Sequence, residues 1–278
     1  MARSLENLQV HQIFYDQKTR GLIDPGFVPL DNLPNKRPDW FELWVIKSFV
    51  EKTGLSENSW YGFFSPKFFA KTRLKSSDVY SFMEKVDSSV EVVTISYSWE
   101  QTAYFLSHFE QGDLFHPGLK RVSQNFFDRV APGVDLDKLV GHRGNSAFCN
   151  FVIAKPAYWR KWLELATAFF NFVETEREAL SMGLKSTTIY GSVLNQTPMK
   201  TFVQERFPAV LLATNPFRTS VLDISDRQPM FARLFEEHPR TRSLLLACDA
   251  LKSEHVATGD PDLLSAYWKL RARIPKKF

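Results

Sequence analysis

The chain has 278 residues, 44% of them hydrophobic and 24% charged, and a formal net charge of +4. That length suits one large domain or two small ones, and the composition is ordinary for a soluble globular protein. The only cysteines, Cys149 and Cys248, stand far apart without a CxxC, which argues against disulfide scaffolds and zinc knuckles and makes a reducing cytosol the default.

The mild basic charge fits a phosphate-bearing ligand or an anionic membrane surface without requiring either. The start Met-Ala-Arg-Ser-Leu-Glu-Asn-Leu has no apolar core, so no signal peptide is expected, and no run of about 18 apolar residues offers a membrane span. The chain carries 25 Phe, 7 Trp and 8 Tyr, enough for a large core with aromatic walls left over for a cleft.

Leu8–Tyr15 alternates as a first strand, with Asp16–Gly21 its polar exit. Tyr15 then lines a base pocket or is an edge-strand aromatic. Asp24-Pro25-Gly26 is a turn. Phe27–Leu30 is extended and ends at Asp31-Asn32. Asp31 is a candidate acceptor for sugar hydroxyls, or simple turn chemistry.

Asp39 is a plausible N-cap for a helix carrying Trp40, Phe41, Trp44, Val45 and Phe49, closed by Gly54. Glu42 falls off its apolar stripe. Tyr61–Phe64 reads as a buried strand broken by Ser65-Pro66, with Lys67 at the mouth of a crevice. Gly62 suits close approach of another backbone or a ligand. Ser76-Ser77-Asp78 caps a helix with Val79, Phe82, Met83 and Val86, and Glu91–Tyr97 is the clearest buried strand. Strand, strand, helix, strand, helix, strand is the order of an α/β sheet.

Ser98–Gln101 starts a helix running to Glu110–Asp113, with Trp99, Ala103, Leu106 and Phe109 inward. His116 then sits in a Pro-Gly loop, a candidate substrate contact or a surface histidine. Glu110 and Gln111 are candidates for binding hydroxyls or acting as base. A helix follows from Leu119. After Pro132-Gly133, Asp135-Leu136-Asp137 spells DxD, read either as a metal-binding pair or as the acidic first turn of a helix.

Asn145–Ala154 is another strand. Asn150 interrupts it with an amide that must tie down a loop or face a ligand. Tyr158–Val173 is a strong helix, and 174–186 is charged and then loop-like. Phe202–Leu212 has a helical pattern that Pro208 kinks or restarts. Glu205-Arg206 within it is a charged pair that serves as a structural tie, or as a functional acid beside a phosphate-binding arginine. Thr219–Ile224 is a last strand.

After Asp226 only helices are expected: Met230–Glu237, Thr241–Glu254 and Pro261 to about Ile274. The organisation is thus an α/β domain over 1–226 and a helical extension over 227–278 packed on it. Residues 263–278 combine Tyr267 and Trp268 with basic side chains, a pattern that lies on an anionic bilayer or docks on its own domain. No P-loop, GxGxxG, HExxH or GxSxG is present. The basic residues are spread along the chain, against nucleic-acid binding.

His11–Tyr15, Asp24–Asn32, Arg37–Trp40, Tyr61–Phe68 with Lys71-Thr72, Phe109–Gly112 with His116-Pro117-Gly118, and Asn150 through Lys155-Pro156 to Trp159 together resemble a family of bacterial polysaccharide-assembly proteins. The match covers roughly residues 8 to 215. The layout is similar to glycosyltransferase-like proteins of capsule and lipopolysaccharide clusters. The resemblance implies a GT-A-like (Rossmann-like) mixed sheet flanked by helices, a nucleotide-sugar donor, and a glycan or lipid-linked acceptor. Cysteine usage places the protein in the cytoplasm, with residues 263–278 as the part that lies on the inner face of the membrane or docks on its own domain. Tyr61–Lys67 and Glu205-Arg206 stand where the relatives carry an aromatic and basic motif and a closing Glu-Arg helix. The departure is at the end of the Glu91–Tyr97 strand, where Ser96-Tyr97-Ser98 replaces DxD.

On that reading Glu110, His116 and Glu205 are the catalytic candidates. Tyr15, Asp31, Lys67, Tyr97 and Arg206 hold the donor, and Trp99, Gln111 and Asn150 the acceptor. Lys67 and Arg206 neutralise the diphosphate in place of a metal. The alternative is a divalent ion, Mn²⁺ or Mg²⁺, with Asp135 and Asp137 as weak ligands. The rival from another class is a non-catalytic module of the same fold that holds a glycan or a partner.

Overall fold

The computed structural model describes residues 7–175, 183–190, 192–227 and 231–275. The helix expected from Met230 therefore begins outside the described residues, as do Lys276 and Lys277 and most of the 174–186 segment. The elements run β1 (Leu8–Phe14), α1 (Gln17–Arg20), β2 (Val28–Asp31), α2 (Phe41–Thr53), β3 (Trp60–Phe64), α3 (Phe68–Thr72), α4 (Ser76–Met83) and β4 (Val92–Ile95). Then come α5 (Trp99–Tyr104), α6 (His108–Phe115), α7 (Leu119–Val130), β5 (Val152–Ala154), α8 (Pro156–Thr175), β6 (Thr187–Tyr190) and β7 (Ser192–Pro198). The chain continues through α9 (Met199–Gln204), α10 (Phe207–Thr214), β8 (Thr219–Leu222), α11 (Ala232–Glu237), α12 (Arg240–Thr258) and α13 (Pro261–Arg271).

A mixed six-stranded sheet in the order β2-β1-β3-β5-β4-β8 makes the protein α/β. β1 pairs in parallel with β2 and β3, and β4 with β8, while β5 runs antiparallel between β3 and β4. Side-chain alternation sends Ile13, Tyr61, Phe63 and Val92 into a core under α2, α7, α8 and α10. Val10, Phe64, Val93 and Ile153 go into a second core with Phe68 and Val79 on the opposite face. Gly62 serves the sheet: a Cβ there would lie 3.1 Å from Ile153 Cγ1 and 3.5 Å from Val10 Cγ1. The close approach is a neighbouring strand, not a ligand.

The helix expected over 98–113 is two helices. Phe105 adopts an extended conformation, and Ser107 caps the second helix by accepting from the Glu110 amide at 3.2 Å. The long strand expected over 145–154 shrinks to three residues, because Phe148–Asn150 turns as a 3₁₀ helix with Cys149 and Asn150 at positive φ. Pro208 restarts the chain as α10 from the first turn, where its missing N–H is harmless. The β6–β7 hairpin, antiparallel and separate from the main sheet, was not anticipated from the sequence. Asp39 does not cap α2; Trp40 takes that position, and Asp39 pairs with Arg37 and Lys200.

Helices α12 and α13 pack on α5, where Leu245, Cys248 and Tyr267 form one core with Trp99, Ala103 and Phe105. Lys252 is fully buried and donates to the carbonyls of Thr102 and Phe105. No described helix is long and apolar enough to cross a membrane.

Candidate functional site

The parallel strands β2, β1 and β3 end on one edge of the sheet, and antiparallel β5 begins there. Their continuations supply Asn32 and Asn35, Tyr15, Ser65-Pro66-Lys67 and Asn150 to the lining of one cavity of about 370 Å³. The volume falls in the range of small-molecule sites, and the place is where open α/β sheets bind ligands. The N-terminus of α2 adds Phe41 and Glu42, α3 adds Lys71, and α9 with its following turn adds Thr201, Phe202, Gln204 and Glu205. Gln12, buried in β1, fixes the break after β3: its Nε2 donates to the Ser65 carbonyl at 3.3 Å, and its Oε1 accepts from the Asp24 amide at 2.7 Å.

The backbone is strained around this cavity. Asn35, Phe41 and Asn150 line it at φ +33°, +49° and +52°, and Cys149 precedes Asn150 at +58°. Asparagine tolerates the left-handed region, but Phe41 at φ 49°, ψ −130° occupies a region all but reserved for glycine. Such strain costs of order 1–3 kcal/mol per residue and clusters at functional sites. Phe41 and Tyr15 are 47% and 41% exposed, two large aromatic faces open to solvent at the cavity.

The charged groups converge on Lys71. Its Nζ lies 2.9 Å from Cys149 Sγ. Burial alone would lower the Lys71 pKa, but Cys149, Glu205 and Glu42 outweigh it and raise it. Burial pushes the Glu42 carboxyl up to about 7; Glu205 adds to the rise, while Lys71 and Lys67 oppose it. Glu205 is raised by burial as well, against the pull of Lys71 and Arg206. Burial pushes the Cys149 thiol up to about 12. Two half-buried carboxyls therefore lie within electrostatic reach of one ammonium, and burial pushes one of them up to about 7.

Four wall residues carry a buried oxygen with no protein hydrogen-bond partner among the described residues: Ser65 Oγ, Asn150 Oδ1, Thr201 Oγ1 and Gln204 Oε1. Leaving such a group unmet costs about 1–3 kcal/mol.

Of the residues singled out from sequence, Tyr15, Lys67, Asn150 and Glu205 come together at this cavity. The others do not. Arg206 is buried behind α9 and donates to the carbonyls of His108 (2.8 Å) and Phe202 (2.5 Å) and to Gln111 Oε1 (2.6 Å). It is the structural tie, not a phosphate ligand, and Gln111 is its partner rather than an acceptor site. His116 is buried, caps α6 and stacks on the far side of Phe202 at 3.7 Å between ring centroids. It lies in the Pro-Gly turn between α6 and α7 as expected, but it is buried against Phe202 and is neither a surface residue nor part of the cavity lining.

Glu110 accepts from the Leu106 amide and pairs with Arg271 at 2.7 Å, clasping α13 to the body. Trp99 lies in the core under α12 and α13. Asp31 accepts from the Leu33 amide at 2.7 Å, the turn chemistry of its alternative reading. The Tyr97 ring lies 5.7 Å from Lys71 Nζ but outside the cavity lining. Asp135 and Asp137 sit in a surface turn, paired with Lys138 and Lys120. Among the described residues, no group of three His, Cys, Asp or Glu side chains could hold a metal ion. In α13, Tyr267 is buried with its hydroxyl donating to the Tyr104 carbonyl at 2.8 Å, while Trp268 is 44% exposed.

Glu42, Lys71 and Cys149, like Thr201 and Gln204 on the cavity wall, carry no assigned role in the sequence reading. Glu42 was legible as an acid placed off the apolar stripe of α2. Nothing local marks Cys149, because its left-handed turn looks like a continuing strand.

Comparison of the chain with protein-family models, with curated proteins and with solved structures found no match.

Proposed function

We propose that the protein is a glycosyltransferase, moving a sugar from a nucleotide-sugar donor to a glycan or lipid-linked acceptor in bacterial surface polysaccharide assembly. The observation that carries this reading is the meeting of aromatic faces, two lysines and a carboxyl titrating near 7 in one crevice at the strand ends. The sheet, with an antiparallel strand between parallel ones, is compatible with a GT-A-like fold. Tyr15 and Phe41 offer stacking faces for the base or the sugar. Lys67 and Lys71 offset charge building on the departing diphosphate.

Glu42 is the best-tuned base, since catalysis is most efficient with a pKa near the working pH. The acceptor hydroxyl attacks the anomeric carbon, the bond from that carbon to the phosphate oxygen breaks, and the acceptor proton passes to Glu42. Glu205 helps to keep Lys71 charged. Exposed Trp268 and the neighbouring Lys269 are the part of α13 that can meet an anionic membrane surface.

One observation favours the second reading, a glycan-binding module without turnover. Lys71 is already faced by two carboxyls, so the cavity offers a diphosphate little net positive charge. The test is thermal shift with a panel of nucleotides and nucleotide sugars, with and without Mn²⁺ and EDTA, because a ligand of the native state raises the melting point. A shift lost in Lys67→Ala and Lys71→Ala, together with turnover lost in Glu42→Gln, supports transfer. Shifts by glycans alone support the module.

A further inference from the structure

Resting on the sugar-transfer reading of the crevice, we infer that its wall of Ser65, Asn150, Thr201 and Gln204 is a subsite for an uncharged polyhydroxyl ring, with the phosphates held at the mouth beside Lys67. The four residues come from three separate segments: the end of β3, the turn before β5, and α9. Each is nine-tenths or more buried, and each carries an oxygen without a protein partner among the described residues. Separate segments that leave their polar atoms unmet around one cavity have a common reason in a ligand that meets them.

The chemistry of the four selects that ligand. Gln204 Nε2 donates to the Trp40 carbonyl at 3.3 Å, so its Oε1 is left as an acceptor. The Ser65 and Thr201 hydroxyls donate or accept, and the Asn150 amide does both. Sugar hydroxyls likewise donate and accept, so the two sets are complementary. A phosphate, which only accepts, has no use for an amide oxygen and is repelled by Glu42 and Glu205 on the same cavity. Of the two lysines that line the cavity, Lys67 is the exposed one. Phe41 and Tyr15 supply the flat apolar faces that a sugar ring or a base covers. In the free protein the four oxygens are covered. The two hydroxyls reach a ligand by turning about a single side-chain bond.

The test is the double variant Ser65→Ala, Thr201→Val, compared with the unmodified chain. Three quantities are measured: the melting temperature without ligand, the affinity for the methyl glycosides of common hexoses, and the affinity for nucleoside diphosphates lacking a sugar. The double variant is expected to melt a few degrees higher when free, since it removes unmet buried hydroxyls. It is expected to bind a methyl hexoside about fivefold to tenfold more weakly for each hydroxyl removed, with nucleoside diphosphate affinity unchanged. A purely structural role predicts a lower melting point instead, and that result overturns the proposal.

Equal glycoside affinity in the two proteins also overturns it, while leaving the transfer reading intact if nucleotide sugars still bind. Weakened glycoside binding with no nucleotide binding at all supports the subsite and removes the donor from the reading. Absence of glycoside binding to the unmodified chain, with nucleotide sugars binding both proteins alike, overturns the subsite alone.

Discussion

The ammonium of Lys71 stands 2.9 Å from the thiol of Cys149, at the junction of α3 with the strained turn before β5. The thiol is held protonated by burial, up to about 12, so at neutral pH the charge on Lys71 is balanced by Glu205 and Glu42. The cysteine is a neutral prop and the two glutamates are the electrostatic partners.

Cys149 is therefore expected to be inert. A thiol moved from 9.0 to about 12 has its thiolate fraction cut about a thousandfold. Cys248, pushed to about 11, follows the same rule. Iodoacetamide at pH 7.5 should label neither in the folded protein and both in denaturant, read by mass spectrometry. Rapid labelling of Cys149 in the native state would show that Lys71 holds a thiolate.

Lys71→Met removes the cation facing both carboxyls. Glu42 and Glu205 then hold their protons to higher pH, and on the proposed sugar-transfer reading donor binding should weaken by about tenfold to a hundredfold, the worth of a charge-assisted hydrogen bond. Titration calorimetry with the donor found by thermal shift measures this. An unchanged affinity would remove Lys71 from the binding site.

Glu42 gives the pH dependence a sign. Its carboxyl titrates at about 7 in the folded chain against 4.5 unfolded. Between these values the folded state binds more protons, so this group's contribution to stability falls as pH rises through the window. The stabilising effect of Glu42→Gln should accordingly grow from pH 5 to pH 8, seen as a widening gap in melting temperature. If the two curves stay parallel, Glu42 is not withdrawn from water.

Arg206→Ala should act on stability, not on ligand recognition alone. It leaves the His108 and Phe202 carbonyls and the Gln111 amide oxygen without their donor, a loss of about 3–5 kcal/mol in urea unfolding. Gly112→Ala reaches the same joint sterically: its Cβ would lie 2.5 Å from Arg206 Nη2, costing about 1–3 kcal/mol. An Arg206→Ala protein of normal stability that fails to bind nucleotide would restore the phosphate role.

Tyr267→Ala tests the attachment of α13. The ring is fully buried among Tyr104, Leu245 and Cys248 and its hydroxyl is bonded, so truncation should cost about 3–5 kcal/mol. A single unfolding transition shifted to lower urea is expected. A separate early transition would mean that α12 and α13 melt on their own.

The sequence by itself determined the α/β class, the break after Phe64 that sets Lys67 at a strand end, and the restart at Pro208. Each is written in local chemistry: β-favouring aromatic runs, a proline without an N–H, and alternation with period two. It also marked Asn150 as an amide that must find a partner. What it did not carry were distances between segments far apart in the chain. Arg206 and Glu205 are adjacent in sequence, yet Glu205 caps the end of α9 and Arg206 the start of α10, so that Arg206 reaches back to His108 and Gln111 while Glu205 joins the cavity.

Only the tertiary structure made that separation, and only it brought Glu42, Lys71 and Cys149 together from three elements. A carboxyl becomes a base near pH 7 through burial and neighbouring charge, and both come from the packed fold, not from the residue's place in the chain.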